Sequence, residues 1–95
     1  MWYNDSIEID WSDWSINHIA RHNVEPYEVE EGLFEDTPLV LERQKDRRSI
    51  LCETWGNRLI LIAISYPPEE DKIKIITARD LTEAEKRFYK MKIKG

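Results

Sequence analysis

Residues 59–64 read Leu-Ile-Leu-Ile-Ala-Ile, apolar at every position. A strand with one wet face alternates apolar and polar residues, so a strand apolar at both parities needs cover on both faces. Arg58–Tyr66 is therefore predicted as a central strand with a layer packed on each side. The run is also the longest apolar stretch in the chain, far short of the roughly 18 residues that a membrane-spanning helix requires. With 95 residues there is room for one core around that strand, and residues 1–95 are expected to form a single domain.

The neighbouring segments supply a sheet and its cover. Ser49–Thr54 is a strand candidate leading into a tight turn at Gly56-Asn57, a hairpin signal toward the central strand. Leu39–Glu42 reads as a short strand after turn chemistry at Asp36-Thr37-Pro38, and Trp2–Ile9 as a first strand with an Ile7/Ile9 alternation. Beyond the polar loop Pro67–Asp71, Lys72–Arg79 sets Lys72 and Lys74 against Ile73 and Ile75, a strand with one wet face at its start. Strict alternation puts Arg79 on the core face with Ile73 and Ile75. A first helix starts with Ser12 or Asp13 as cap and stops at His22-Asn23, because asparagine tolerates the left-handed conformation that ends helices. Pro26 fits the first turn of a second helix, Pro26–Phe34, with Val29, Leu33, Tyr27 and Phe34 facing inward. The last helix opens with Thr82-Glu83-Ala84-Glu85, the capping-box pattern, and ends rich in lysine. The order β-α-α-β-β-β-β-α describes an α+β fold: a small antiparallel sheet of about four strands, packed with two N-terminal helices and one C-terminal helix.

Charge is unevenly spread. Residues 1–42 carry eleven acids and one base, a net −10, whereas residues 43–95 carry thirteen bases and eight acids, a net +5. The overall −5 thus does not exclude a nucleic-acid partner, since most candidate phosphate-binding residues lie in the positive half. The N-terminus lacks the basic start and apolar stretch of a secretory signal, and the lone Cys52 can form neither an internal disulfide nor a thiolate cluster. A cytoplasmic protein with no membrane association is expected. Cys52 reads as a buried small hydrophobe on its strand.

Two stretches carry a family resemblance. Asn17-His18-Ile19-Ala20-Arg21-His22-Asn23-Val24 followed by Pro26-Tyr-Glu-Val-Glu-Glu is similar to the helix-pair signature of the BrnT-type toxins, small proteins of the RelE-like ribonuclease superfamily. Arg58-Leu-Ile-Leu-Ile-Ala-Ile, Ile73-Lys-Ile-Ile-Thr-Ala-Arg79 and Thr82-Glu-Ala-Glu85-Lys-Arg-Phe-Tyr89 resemble the family's remaining strands and closing helix, in order, from about Ile7 to Tyr89. The resemblance implies a RelE-like fold and an RNA endonuclease, the toxin of a toxin–antitoxin pair. Its partner would be a ribbon-helix-helix-like DNA-binding antitoxin. In three places the chain departs from the family pattern: no lysine stands near Trp14, one turn before the family's asparagine; His18 stands where the family has an asparagine before Lys-His; and Asn23 replaces a glycine.

RNA cleavage through the ribose 2′-hydroxyl, without a metal or other cofactor, needs a proton acceptor, a proton donor and cations for the phosphate. Histidine titrates near neutrality and arginine binds two phosphate oxygens while keeping its charge. His22, at the end of the first helix, is the first candidate for proton transfer, with a capping or surface role as its rival. Arg79 is the candidate phosphate ligand at the sheet's rim, or else a structural partner of Glu85 or Asp80. Glu85 is a candidate proton acceptor whose place in the capping box also explains it. Arg21, Arg48 and Arg58 are candidate substrate-binding cations or ordinary surface charges, and Tyr89 either stacks on a base or belongs to the core. His18 and His22, at i and i+4, could begin a zinc site but lack the intervening glutamate and a third ligand, so no metal is expected. Trp11 and Trp14 read as core or as partner contacts. Two alternatives to the nuclease stand beside it: a catalytically degenerate relative acting as a binding or regulatory module, and a small structural domain forming a homodimer through its Trp-rich first segment.

Overall fold

The computed structural model describes residues 8–34 and 38–93. Along the chain these form β1 (Glu8–Asp10), α1 (Asp13–Ala20), α2 (Pro26–Leu33), β2 (Leu39–Gln44), β3 (Arg47–Glu53), β4 (Leu59–Ser65), β5 (Lys72–Asp80) and α3 (Glu83–Ile93). The sheet order is β1-β5-β4-β3-β2, which puts the wholly apolar strand in the middle. The β2–β3, β3–β4 and β4–β5 pairs are antiparallel. The architecture is thus the expected α+β one, with five strands rather than four. The fifth is the short β1, which runs parallel to β5 from Glu8↔Lys72 to Asp10↔Lys74. Most of the predicted strand Trp2–Ile9 and part of the turn Asp36-Thr37-Pro38 lie outside the described residues.

β4 is covered on both faces because its two parities feed two cores. Ile60, Ile62 and Ile64 pack with Ile50, Cys52, Ile73 and Ile75, beneath Ile19, Val24, Val29 and Leu33 of the α1–α2 segment. On the other face Leu61 packs with Leu51, Leu81 and Tyr89, with Phe88 and Ile93 of α3 against them. Each buried aliphatic side chain of this kind stabilises the fold by about 1.5–3 kcal/mol. Where α2 crosses β3, a glycine permits the approach. A Cβ on Gly32 would stand 2.5 Å from Cys52 Sγ and 3.3 Å from Ile62 Cδ1.

Local chemistry sets the helix ends. The Ser12 side chain accepts from the Ser15 N–H at 3.1 Å, while the Ser15 hydroxyl accepts from the Ser12 N–H at 3.0 Å, a reciprocal cap. α1 stops at Ala20, and the turn that follows closes through Asn23 at φ 60°. α2 begins at Pro26, with the Glu28 carboxylate accepting from the Glu25 N–H at 3.0 Å. It turns Val29, Gly32 and Leu33 to the sheet. The expected inward positions of Tyr27 and Phe34 are corrected: they are 60% and 41% exposed, because an eight-residue helix on a flat sheet buries only one stripe. In the β3–β4 hairpin Asn57 takes the left-handed position, at φ 66°.

One irregularity changes which face carries a candidate site residue. The β4–β5 register shifts between Ala63↔Thr77 and Ile64↔Ile75, so Ile76 is an extra residue, a β-bulge. Beyond it the alternation is inverted. Ala78, not Thr77, joins Ile73 and Ile75 in the core beneath α1 and α2. Arg79 lies opposite Leu61 and therefore projects from the α3 face. The expectation that Arg79 shares a face with Ile73 and Ile75 fails for this reason, since a one-residue slip moves every following side chain to the other face.

Candidate active site

The turn after α1 is tied to the sheet by a single guanidinium. Arg58, just ahead of β4, donates from Nη1 to the Asn23 carbonyl at 2.7 Å and from Nη2 to the His22 carbonyl at 3.3 Å. The same Nη1 reaches both oxygens of Glu28, at 3.0 and 3.2 Å, and Nε meets Asp80 Oδ1 at 2.7 Å. The Asp80 bond, opposed by partial burial and aided by Glu28, holds Arg58 above its usual pKa; Arg58 in turn lowers Asp80. The candidate role of Arg58 as a substrate-binding cation is thus corrected: its donors are committed to holding the backbone of His22 and Asn23.

His22 itself is exposed, as is Arg21 beside it. Its ring stands 6.0 Å from that of His18, edge to face. His18 in turn lies flat against Trp14, with ring centroids 4.8 Å apart and planes within 10°. Trp14, His18 and His22 thus form a continuous stripe of rings along α1 and its closing turn, with Trp14 60% exposed. Residues at i, i+4 and i+8 share one side of a helix, so the spacing Trp14/His18/His22 is the signal in the sequence for this stripe. Read singly, as a core tryptophan and half a zinc site, the residues conceal it. Among the described residues no three His, Cys, Asp or Glu groups come together to hold a metal.

Arg79 and Glu85 form a second cluster. Arg79 donates two parallel bonds to Glu85, Nη1–Oε1 at 2.8 Å and Nη2–Oε2 at 3.0 Å, and a further bond to the Asp80 carbonyl at 3.0 Å. Glu85 also closes the predicted capping box, accepting from the Thr82 N–H at 2.9 Å while the Thr82 hydroxyl accepts from the Glu85 N–H at 3.2 Å. The Arg79 guanidinium, followed by the Thr82 donors, pulls the Glu85 carboxyl from 4.5 down to about 2, against a smaller opposing effect of burial. So acidic a group is a poor proton acceptor, and the structural reading of Glu85 prevails. His22 and Arg79 are not brought together. Asp80, opposite Ile60, faces the α1–α2 side toward Arg58, and its neighbour Arg79 faces away from it.

The remaining candidates lie elsewhere. Tyr89 is 1% exposed within the core under α3, so the base-stacking reading is corrected to the core one. Arg48 sits toward the opposite end of the sheet, 4.2 Å over the Tyr66 ring, with Nη1 on the carbonyls of Arg47 and Gln44.

By sequence alone, no family model and no curated protein matches the chain. Its structure is similar to the crystal structure of the Brucella abortus ribonuclease toxin BrnT, with a TM-score of 0.64 at 20% identity. The similarity covers 81% of this chain and 99% of that one. The chain therefore has the BrnT-like fold that its sequence resembles.

Proposed function

We propose that this protein is a ribonuclease toxin that cleaves RNA by attack of the ribose 2′-hydroxyl and is neutralised by a DNA-binding antitoxin. The observation that supports this reading is the exposed His22, held on a BrnT-like fold by the Arg58 clamp at its own carbonyl. His22 takes the proton from the 2′-hydroxyl. The new bond from the 2′-oxygen to phosphorus forms as the bond to the 5′-oxygen breaks, which leaves a 2′,3′-cyclic phosphate. His18, 6.0 Å away, protonates the departing 5′-oxygen, and Arg21 lies beside the phosphate. Two imidazoles at this separation can bracket one phosphate and together provide the acid and the base. No metal ion enters the proposed steps. The acidic surface of α1 and α2, with exposed Asp13, Glu25 and Glu30, suits a basic, ribbon-helix-helix-like antitoxin. No helix among the described residues is long and apolar enough to cross a membrane, and we place the protein in the cytoplasm with its RNA.

A second reading has its own support. The guanidinium groups of both Arg58 and Arg79 are already neutralised by carboxylates, which favours a catalytically silent relative that retains the fold as a binding module. Inducible expression separates the two. Growth arrest that His22→Ala relieves supports the toxin. Normal growth with abundant folded wild-type protein, and recovery of a partner in a pull-down, supports the binding module.

A further inference from the structure

Among the described residues β5 has no strand partner on its β1 side beyond the short pairing with β1. The parallel ladder ends at Asp10↔Lys74, and α1 runs alongside the remainder. At that edge a groove of about 470 Å³ lies between the start of α1 and the sheet, lined by Trp14, Ile75 and Ile76 with Arg47, Lys74 and Asp10. The bulge contributes directly, because Ile76 is the extra residue that breaks the β4–β5 register. Arg47 and Lys74 make no ion pair among the described residues, unlike Arg58 and Arg79. Trp14 stacks on His18 through one face and is 60% exposed. The rings of Trp14, His18 and His22 follow one another at centroid separations of 4.8 and 6.0 Å, so the groove adjoins His22 through this stripe.

We infer that this groove is a binding track for single-stranded RNA, in which an unpaired base stacks on Trp14 while Arg47 and Lys74 hold the adjoining phosphates. The inference rests on the ribonuclease reading and adds the form of the substrate. A flat ring with an open face accepts any nucleobase, but only one that is not already paired and stacked in a duplex. Two cations beside an aromatic surface add the phosphate contacts that such a strand needs. Stacking on Trp14 also fixes the His18 imidazole, so strand binding and proton transfer share one continuous surface. Asp10 in the groove lining keeps the net positive charge small, which disfavours indiscriminate binding of duplex backbones.

The test uses the full chain and a fluorescent 2′-O-methyl oligonucleotide, which cannot be cleaved, followed by anisotropy. The single strand is expected to bind and the same sequence locked in a duplex is not. Trp14→Ala should weaken binding about 5- to 150-fold, and Trp14→Phe should recover part of the loss. Replacing Arg47 and Lys74 together by Ala should reduce the slope of log K against log salt by about 1.4. Circular dichroism confirms that each variant is folded. Binding by Trp14→Ala within two-fold of wild type, equal binding of the duplex, or no binding by the wild type overturns the track. Cleavage of unmodified RNA is measured in parallel. Cleavage with Trp14-independent binding refutes the track alone, whereas Trp14-dependent binding without cleavage refutes the ribonuclease reading and upholds the track.

Discussion

Replacing Arg58 by alanine tests whether the α1–α2 turn is held where the candidate site needs it. The substitution removes bonds to Glu28, Asp80 and the carbonyls of His22 and Asn23. These losses are unequal. The Asp80 side chain is 62% exposed, so its pair is screened and contributes at most about 1 kcal/mol. Glu28 is 12% exposed and among the described residues keeps only the Glu25 N–H at 3.0 Å, so leaving its carboxylate without a cation costs about 2 kcal/mol. The two carbonyls can take up water and lose about 0.5 kcal/mol each. The total is about 3–4 kcal/mol, a fall in Tm of roughly 12–30 °C for a domain of this size. Urea unfolding followed by circular dichroism measures it, with an unchanged m-value expected. Arg58→Lys retains the charge without the planar fork and should recover less than half of the loss. If the variant folds at low temperature, cleavage should fall by about 100-fold, because a misplaced turn misplaces His22. A stability loss below about 1 kcal/mol would refute the clamp.

Two further substitutions probe the scaffold. Glu85 has a carboxyl lowered to about 2 in the folded protein from 4.5, so its contribution is complete above about pH 4.5 and is lost as pH falls toward 2. The shift corresponds to at most about 3 kcal/mol, or about 1–2 kcal/mol once screening at Arg79, 35% exposed, is allowed for. Urea titrations at pH 6 and pH 3 should show Glu85→Gln flattening the wild-type difference by roughly three-fifths of that amount, because at pH 3 the folded-state carboxyl is still mostly ionised; an identical pH dependence would refute a stabilising pair. Gly32→Ala should cost about 1–3 kcal/mol, since the new methyl meets Cys52 and Ile62. Recovery of stability in Gly32→Ala/Cys52→Ala, whose smaller residue makes room, is the accompanying check; no recovery would mean that the cost lies elsewhere.

The order of elements is legible because each carries its own chemistry. The apolar parity of β4, the Pro26 start of α2, the left-handed Asn23 and the Thr82–Glu85 cap all act within a few residues. The bulge at Ile76 is not legible in this way. Nothing in Ile73-Lys-Ile-Ile-Thr-Ala-Arg79 marks the extra residue, and its consequence, turning Arg79 to the other face, arises only from pairing with β4. The clamp of Arg58 is not legible for a related reason: its partner Glu28 lies 30 residues away. The pairing of Arg79 with Glu85, six residues on, is one of the two readings that the sequence offers. The ring stripe lies wholly within α1 and its turn, so its periodicity was accessible.

The proposed function has this chain cleave RNA with His22 as the proton-transfer residue. Purified protein incubated with RNA in EDTA tests it most directly, with fragment ends read by mass spectrometry. The expected products carry 2′,3′-cyclic phosphate and 5′-hydroxyl ends, produced by the wild type and reduced about 100- to 10,000-fold in His22→Ala, while Glu85→Gln cleaves at a wild-type rate under conditions where it is folded. Undiminished cleavage by folded His22→Ala, or no cleavage by the wild type, would contradict it.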